Sequence, residues 1–169
     1  MSSNTSHKIK KRDNANDIFI TPLALAKKAI EMVEYTPADK WLDPFKNDGS
    51  YYNQFPNDNK VYTEILENKD FFEYNDKVDI ICSNPPYSLM DSVIKKSIEL
   101  QPHTINYLIG LGNLTTRRIE MFEKAGYGLS KLHMCKVYSW YGMSVIVQFV
   151  KDKDNVITYD RQVWKEKTD

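Results

Sequence analysis

Apolar positions follow two rhythms along the chain. Over residues 21–35 they recur at helical spacing, with Leu25, Ala29, Met32 and Val33 on one stripe. Thr21 stands where an N-cap is expected and Pro22 where a first helical residue is expected; Pro37 disfavours helix before it, which puts the end near Tyr35. Elsewhere shorter segments, at 40–45, 60–66, 78–83 and 104–111, read as strands. The run at 78–83, with Ile80, Ile81 and Cys82, suits a strand buried on both faces. Between these runs lie a brief turn or helix through Tyr51, Tyr52 and Phe55, a helix at 88–100 with Leu89, Val93, Ile94 and Ile98 on one side, and a helix at 116–125 ending at Gly126. Two last runs, 129–141 and 144–150, predict an antiparallel pair turning at Gly142. Strands alternating with helices and closing on a hairpin predict an α/β fold with an open, mostly parallel sheet.

The 169 residues fit one domain, expected over 17–169 behind a flexible basic arm at 1–16. The formal net charge of zero hides an asymmetry: Lys8, Lys10, Lys11 and Arg12 make the first twelve residues basic, and the body is acidic by the same amount. Such an arm is suited to phosphate, or is a solvated tail. No apolar run is long enough to span a membrane and the basic start does not resemble a secretory signal, so an intracellular, by default cytoplasmic, location is expected. Cys82 and Cys135 are expected to be reduced thiols; His7, His103 and His133 have no ligand-like spacing with them, and no metal is expected.

Chemistry concentrates at the carboxyl ends of the expected strands, where open α/β sheets bind ligands. Asn84-Pro85-Pro86-Tyr87 follows the clearest of them. The two prolines stiffen the turn and remove two N–H donors, Asn84 adds a side-chain carbonyl, and Tyr87 offers a flat face. An acceptor pair beside a stacking platform suits an –NH2 group on a planar molecule; an ordinary strand-ending turn with an incidental tyrosine is the bland alternative. The loop Asp43-Pro44-Phe45-Lys46-Asn47-Asp48-Gly49-Ser50 follows another strand, and its Asp, Asn and Gly residues can turn backbone N–H groups and carboxylates toward a ligand. Glu64, near the end of the next strand, is placed for ribose hydroxyls, and Asp70-Phe71 follows it. Phe71 is equally an ordinary core residue. Arg117 and Arg118, after the fourth strand, are candidates for phosphate contact or an exposed helix start.

In order and spacing these segments resemble the Rossmann-like amino-methyltransferases, and among them the DNA adenine-N6 group, over residues 17–150. The resemblance implies S-adenosyl-L-methionine as cofactor. It assigns Thr21, Pro22, Asp43, Pro44, Phe45, Asp48, Gly49, Glu64, Asp70, Phe71 and Asn84 to binding it, and Asn84, Pro85, Pro86 and Tyr87 to catalysis. It also implies adenine N6 in nucleic acid, DNA foremost, as the target, with Lys8, Lys10, Lys11, Arg12, Arg117 and Arg118 on the nucleic acid. RNA, a protein glutamine amide and a non-catalytic methyltransferase-like subunit are the other readings. Two features depart from the family pattern. Asn47 stands where the family loop usually has Gly, a substitution that left-handed backbone tolerates in Asn. No target-recognition domain is visible either, which implies a homodimer or a separate recognition subunit.

Overall fold

A computed structural model describes residues 19–139 and 142–161 of the chain. The expected basic arm with Lys8, Lys10, Lys11 and Arg12, and the end of the expected strand at 140–141, lie outside the described residues.

The sheet has six strands: β1 (Trp41–Asp43), β2 (Lys60–Tyr62), β3 (Ile80–Ser83), β4 (Thr104–Gly110), β5 (Tyr127–Cys135) and β6 (Ser144–Lys151), in spatial order β2-β1-β3-β4-β6-β5. The pairs β1/β2, β1/β3 and β3/β4 are parallel; β6 runs antiparallel to both β4 and β5. Among the described residues three α-helices, α1 (Leu23–Glu31), α2 (Met90–Glu99) and α3 (Thr116–Lys124), cover the two faces. The strand alternation divides the core between them. Trp41, Ile80, Cys82, Leu108 and Ile146 pack with Ala26, Ala29 and Ile30 of α1, while Leu42, Ile81, Ile105, Val145 and Val147 pack with Val93 and Ile94 of α2 and Phe122 of α3. Phe122 also stacks on Phe149, with ring centroids 3.7 Å apart, which seats α3 against β6. The predicted mostly parallel sheet with a terminal antiparallel hairpin is therefore the fold observed. No helix among the described residues is long and apolar enough to cross a membrane.

Element ends differ from expectation for identifiable reasons. Pro22, not Thr21, holds the N-cap position of α1, its carbonyl accepting from Leu25 N and Ala26 N at 2.9 and 3.0 Å; the Thr21 side chain is directed to Asn84 instead. The helix closes at Glu31 rather than near Tyr35, because the Met32 carbonyl accepts from Lys131 Nζ and Gln148 Nε2, at 2.7 and 3.0 Å, on the neighbouring hairpin. β2 stops at Tyr62, four residues short of the expected end. Beyond it Thr63 and Glu64 leave the ladder to bind the loop after β1, and Glu64 caps a 3-10 turn at Ile65–Glu67 by accepting from Leu66 N. A 3-10 turn, Tyr87–Leu89, precedes α2, and β5 begins at Tyr127 with a register shift between Leu129 and Lys131.

Candidate active site

The strand order reverses at β1, with β2 on one side and β3 on the other, so a crevice opens at the carboxyl ends of β1 and β3. The loop after β1 forms its floor. Asp43, with no exposed surface, faces inward and accepts from Ser83 Oγ at 2.6 Å and from the backbone N–H groups of Phe45 and Tyr52, each at 3.2 Å. Burial raises its pKa to about 7, although the three hydrogen bonds act in the opposite direction. Thr63 stitches the loop to β2: its hydroxyl donates to Pro44 O and its carbonyl accepts from Lys46 N. Asn47 takes φ +50 and Gly49 φ +90, so the left-handed turn is made with Asn where Gly is the usual residue. A Cβ on Gly49 would come within 2.5 Å of Asn53 Nδ2. With Asn47 turned in this way, its N–H donates to Glu64 Oε2 at 2.8 Å.

Above this floor lies a cleft of about 280 Å³. Phe19, Thr21, Asn47, Ser50, Tyr51, Glu64 and Asn84 line it, together with Ile65 and Leu66, whose side chains are exposed. A second cavity, of about 10 Å³, lies beyond Asn84 and is bounded by Phe19, Tyr87, Leu108, Tyr138 and Ser144. Asn84 and Phe19 belong to both. The Asn84 amide is oriented by its neighbours: Nδ2 donates to Thr21 Oγ1 at 3.2 Å and to Phe19 O at 3.5 Å. A carbonyl can only accept, so the amine end must face Phe19 and the Oδ1 end is turned away from it. Phe19 and Tyr138, which both line the narrow cavity, are in aromatic contact with centroids 5.8 Å apart, and the Tyr138 hydroxyl donates to Ile20 O at 3.2 Å.

The structure brings Thr21, Phe45, Asp48, Glu64, Asn84 and Pro86 to the cleft and Tyr87 to the narrow cavity. Asp48 spends its Oδ1 on Ser50 N and Oγ, at 3.1 and 2.7 Å. Several expected residues stand elsewhere. Asp43, Pro44, Gly49 and Pro85 are buried and none lines the cleft; Pro22 is exposed on the helix start. Asp70 caps a 3-10 turn at Phe71–Glu73 by accepting from Phe72 N, and Phe71 is core, packed edge-on against Phe45. Arg118, expected on phosphate, is turned to the protein: Nε donates to Asp91 Oδ1 at 2.8 Å and Nη1 to the Asn113 carbonyl and side chain, both at 3.0 Å. Arg117 reaches the other oxygen of Asp91 at 2.5 Å and is half exposed. Phe19, Tyr51, Ile65, Leu66 and Tyr138 were not expected in the site. The one available signal was the cluster of aromatic residues before Gly142, which as a hairpin connection has no core to fill.

No protein-family model and no curated protein matches the chain. Solved structures do. An E. cuniculi complex described as methylating a translation termination factor aligns at 17% identity over 81% of this chain and 99% of that one, with a TM-score of 0.59. Magnesium protoporphyrin IX methyltransferase from Synechocystis PCC 6803, solved with bound S-adenosylmethionine, aligns at 10% identity over 88% and 92%, with a TM-score of 0.56. A Vibrio vulnificus YJ016 protein described as a modification subunit of a type I restriction enzyme aligns at 14% identity over 89% of this chain, with a TM-score of 0.56; this chain spans about half of its length, 48%. Two of these neighbours are described by the methylation of different substrates, and the likeness is one of fold: the chain has the Rossmann-like fold of class I methyltransferases.

Proposed function

We propose that this chain is an S-adenosylmethionine-dependent methyltransferase acting on the exocyclic amine of adenine in nucleic acid, DNA foremost. The observation that carries this reading is Asn84, held by Thr21 and Phe19 at the junction of the two cavities, with Tyr87 on the far side. The cleft chemistry fits the methyl donor. Glu64 is an acceptor for ribose hydroxyls, Ile65 and Leu66 offer apolar surface to a purine face, and the left-handed turn at Asn47 keeps the floor low. When bound, the donor supplies an electrophilic methyl group on a sulfonium centre.

The chain's own residues supply orientation and charge stabilisation. Asn84 Oδ1 accepts a hydrogen bond from the target amine, and the interaction strengthens as the nitrogen gains positive charge, so it favours the transition state over the ground state. Tyr87 holds the planar group by its face. The two prolines, which carry no N–H, keep the turn rigid during transfer. A target base reaches this place only after leaving its stack. A partner subunit or a second copy is the proposed source of target reading; the modification subunit and the two-protein complex among the structural neighbours support that arrangement.

A second reading, a protein glutamine amide as target, is supported by the structural neighbour described as methylating a translation termination factor. Incubation with methyl-labelled S-adenosylmethionine and separate pools of duplex DNA, single-stranded DNA, RNA and protein tests both readings. Label is expected in nucleic acid, and Asn84→Ala is expected to reduce its incorporation by about 100-fold or more while donor binding persists. Label confined to protein transfers the assignment to the amide, and undiminished transfer by Asn84→Ala contradicts the role given to that side chain.

A further inference from the structure

The cavity beside Asn84, at about 10 Å³, has room for one water molecule, so a planar methyl acceptor enters it only if a wall gives way. The walls differ in what holds them. Leu108 and Ser144 are buried and belong to β4 and β6, which pair with each other in unbroken register. Tyr87 follows the turn that Pro85 and Pro86 stiffen. Phe19, Val137 and Tyr138 belong to no helix or strand. Phe19 lies on the segment that enters α1, and Val137 and Tyr138 follow β5. The two segments hold each other: the rings of Phe19 and Tyr138 are in contact, and the Tyr138 hydroxyl donates to Ile20 O, 118 positions away, at 3.2 Å. Ile20 is 58% exposed and this bond lies at the surface. Local opening costs least in such a place, where water can replace the lost hydrogen bond.

We propose that Phe19-Ile20 and Tyr138 form a strap that gates this cavity, and that the strap parts to admit the methyl acceptor to Asn84. That the gated cavity takes the acceptor rests on the methyl-transfer reading given above. Parting withdraws the Phe19 carbonyl from Asn84 Nδ2, but Thr21 Oγ1, on a buried residue 3.2 Å from the same nitrogen, keeps the amide anchored. The gate therefore opens without dismantling the turn that carries the catalytic amide.

Modification of a thiol on the cavity wall by N-ethylmaleimide, which is planar and larger than the cavity, tests this without donor or acceptor. Ser144→Cys supplies the thiol; Cys135→Ser removes the free thiol on its register partner, and the fully buried Cys82 serves as an internal report of global unfolding. Modification at position 144 is expected to be much slower than at an exposed control, Ala38→Cys. Tyr138→Phe, which loses the hydroxyl bond and keeps the ring, is expected to speed it by about two- to tenfold, and Phe19→Ala to speed it as well, with the rate at Cys82 unchanged. A rate at position 144 equal to that of the control, a rate moved by neither variant, or equal acceleration at Cys82 would overturn the gate. The modified protein is expected to bind S-adenosylhomocysteine and to transfer no methyl group to DNA or RNA; transfer that survives modification would overturn the acceptor's place in the cavity. Absence of transfer before modification overturns the methyl-transfer reading and the acceptor's place with it, while the modification rates still decide whether the strap is a gate.

Discussion

Burial of the Asp43 carboxyl behind the loop it organises places a charge in a poorly solvated position, and its pKa rises to about 7 despite three hydrogen-bond donors. The folded state therefore holds a proton between about pH 4 and pH 7 that the unfolded chain has released, and stability falls as pH rises across that window. Asp43→Asn removes the titration at the expense of a fixed mismatch with Tyr52 N–H. The melting temperature of the variant relative to wild type is expected to improve from pH 4.5 to pH 7.5; a difference that stays constant, or worsens, would show that Asp43 is ionised throughout. At this scale the sequence was legible where a residue's type restricts what it can do. Asn84 and Glu64 needed only their position at strand ends to be singled out, and the left-handed turn at Asn47 follows from the tolerance of Asn. Asp43 was misplaced relative to the cleft because a carboxylate at a strand end can face outward to a ligand or inward to its own loop, and the inward donors come from Tyr52 and from Ser83, 40 positions away. Tyr51 read as an ordinary aromatic turn residue, since its place beside the cleft depends on segments that meet only in the folded chain.

Helices α2 and α3 are joined by Asp91, whose two oxygens receive Arg117 and Arg118, while Arg118 continues to Asn113. Both arginines lower the Asp91 pKa through these hydrogen bonds. Asp91 is more than a third exposed, so water screens the pair and its contribution is modest, on the order of 1 kcal/mol. Arg118→Ala is expected to lower the melting temperature by about 2–4 °C and to leave nucleic-acid affinity unchanged; lost affinity with an unaltered melting temperature would return Arg118 to the nucleic-acid interface. Among the elements, β3 was the easiest to read because both its faces are covered and its apolar run is unbroken. The ends of α1 and β2 were not legible. They are set by Lys131 and Gln148 reaching Met32, and by Thr63 and Glu64 turning to the β1 loop, which are contacts between segments far apart in the chain.

Across the molecule, the reversal of strand order at β1 creates the crevice, and Asn84 lines both a cleft of about 280 Å³ and a cavity of about 10 Å³ there. Phe19 walls both, so anything that shifts it on one side is felt on the other. The alternation of strands and helices was enough to predict this architecture, and with it the carboxyl edge on which the cleft opens. The clasp between Phe19 and Tyr138 was hidden, because it joins residues 119 positions apart. The most direct test of the central claim is nucleoside mass spectrometry of DNA and RNA digested after incubation with the protein and S-adenosylmethionine. The account predicts N6-methyladenine nucleosides with wild-type protein and their loss with Asn84→Ala; a digest with no methylated adenine, from protein that binds S-adenosylmethionine and methylates another substrate, would contradict it.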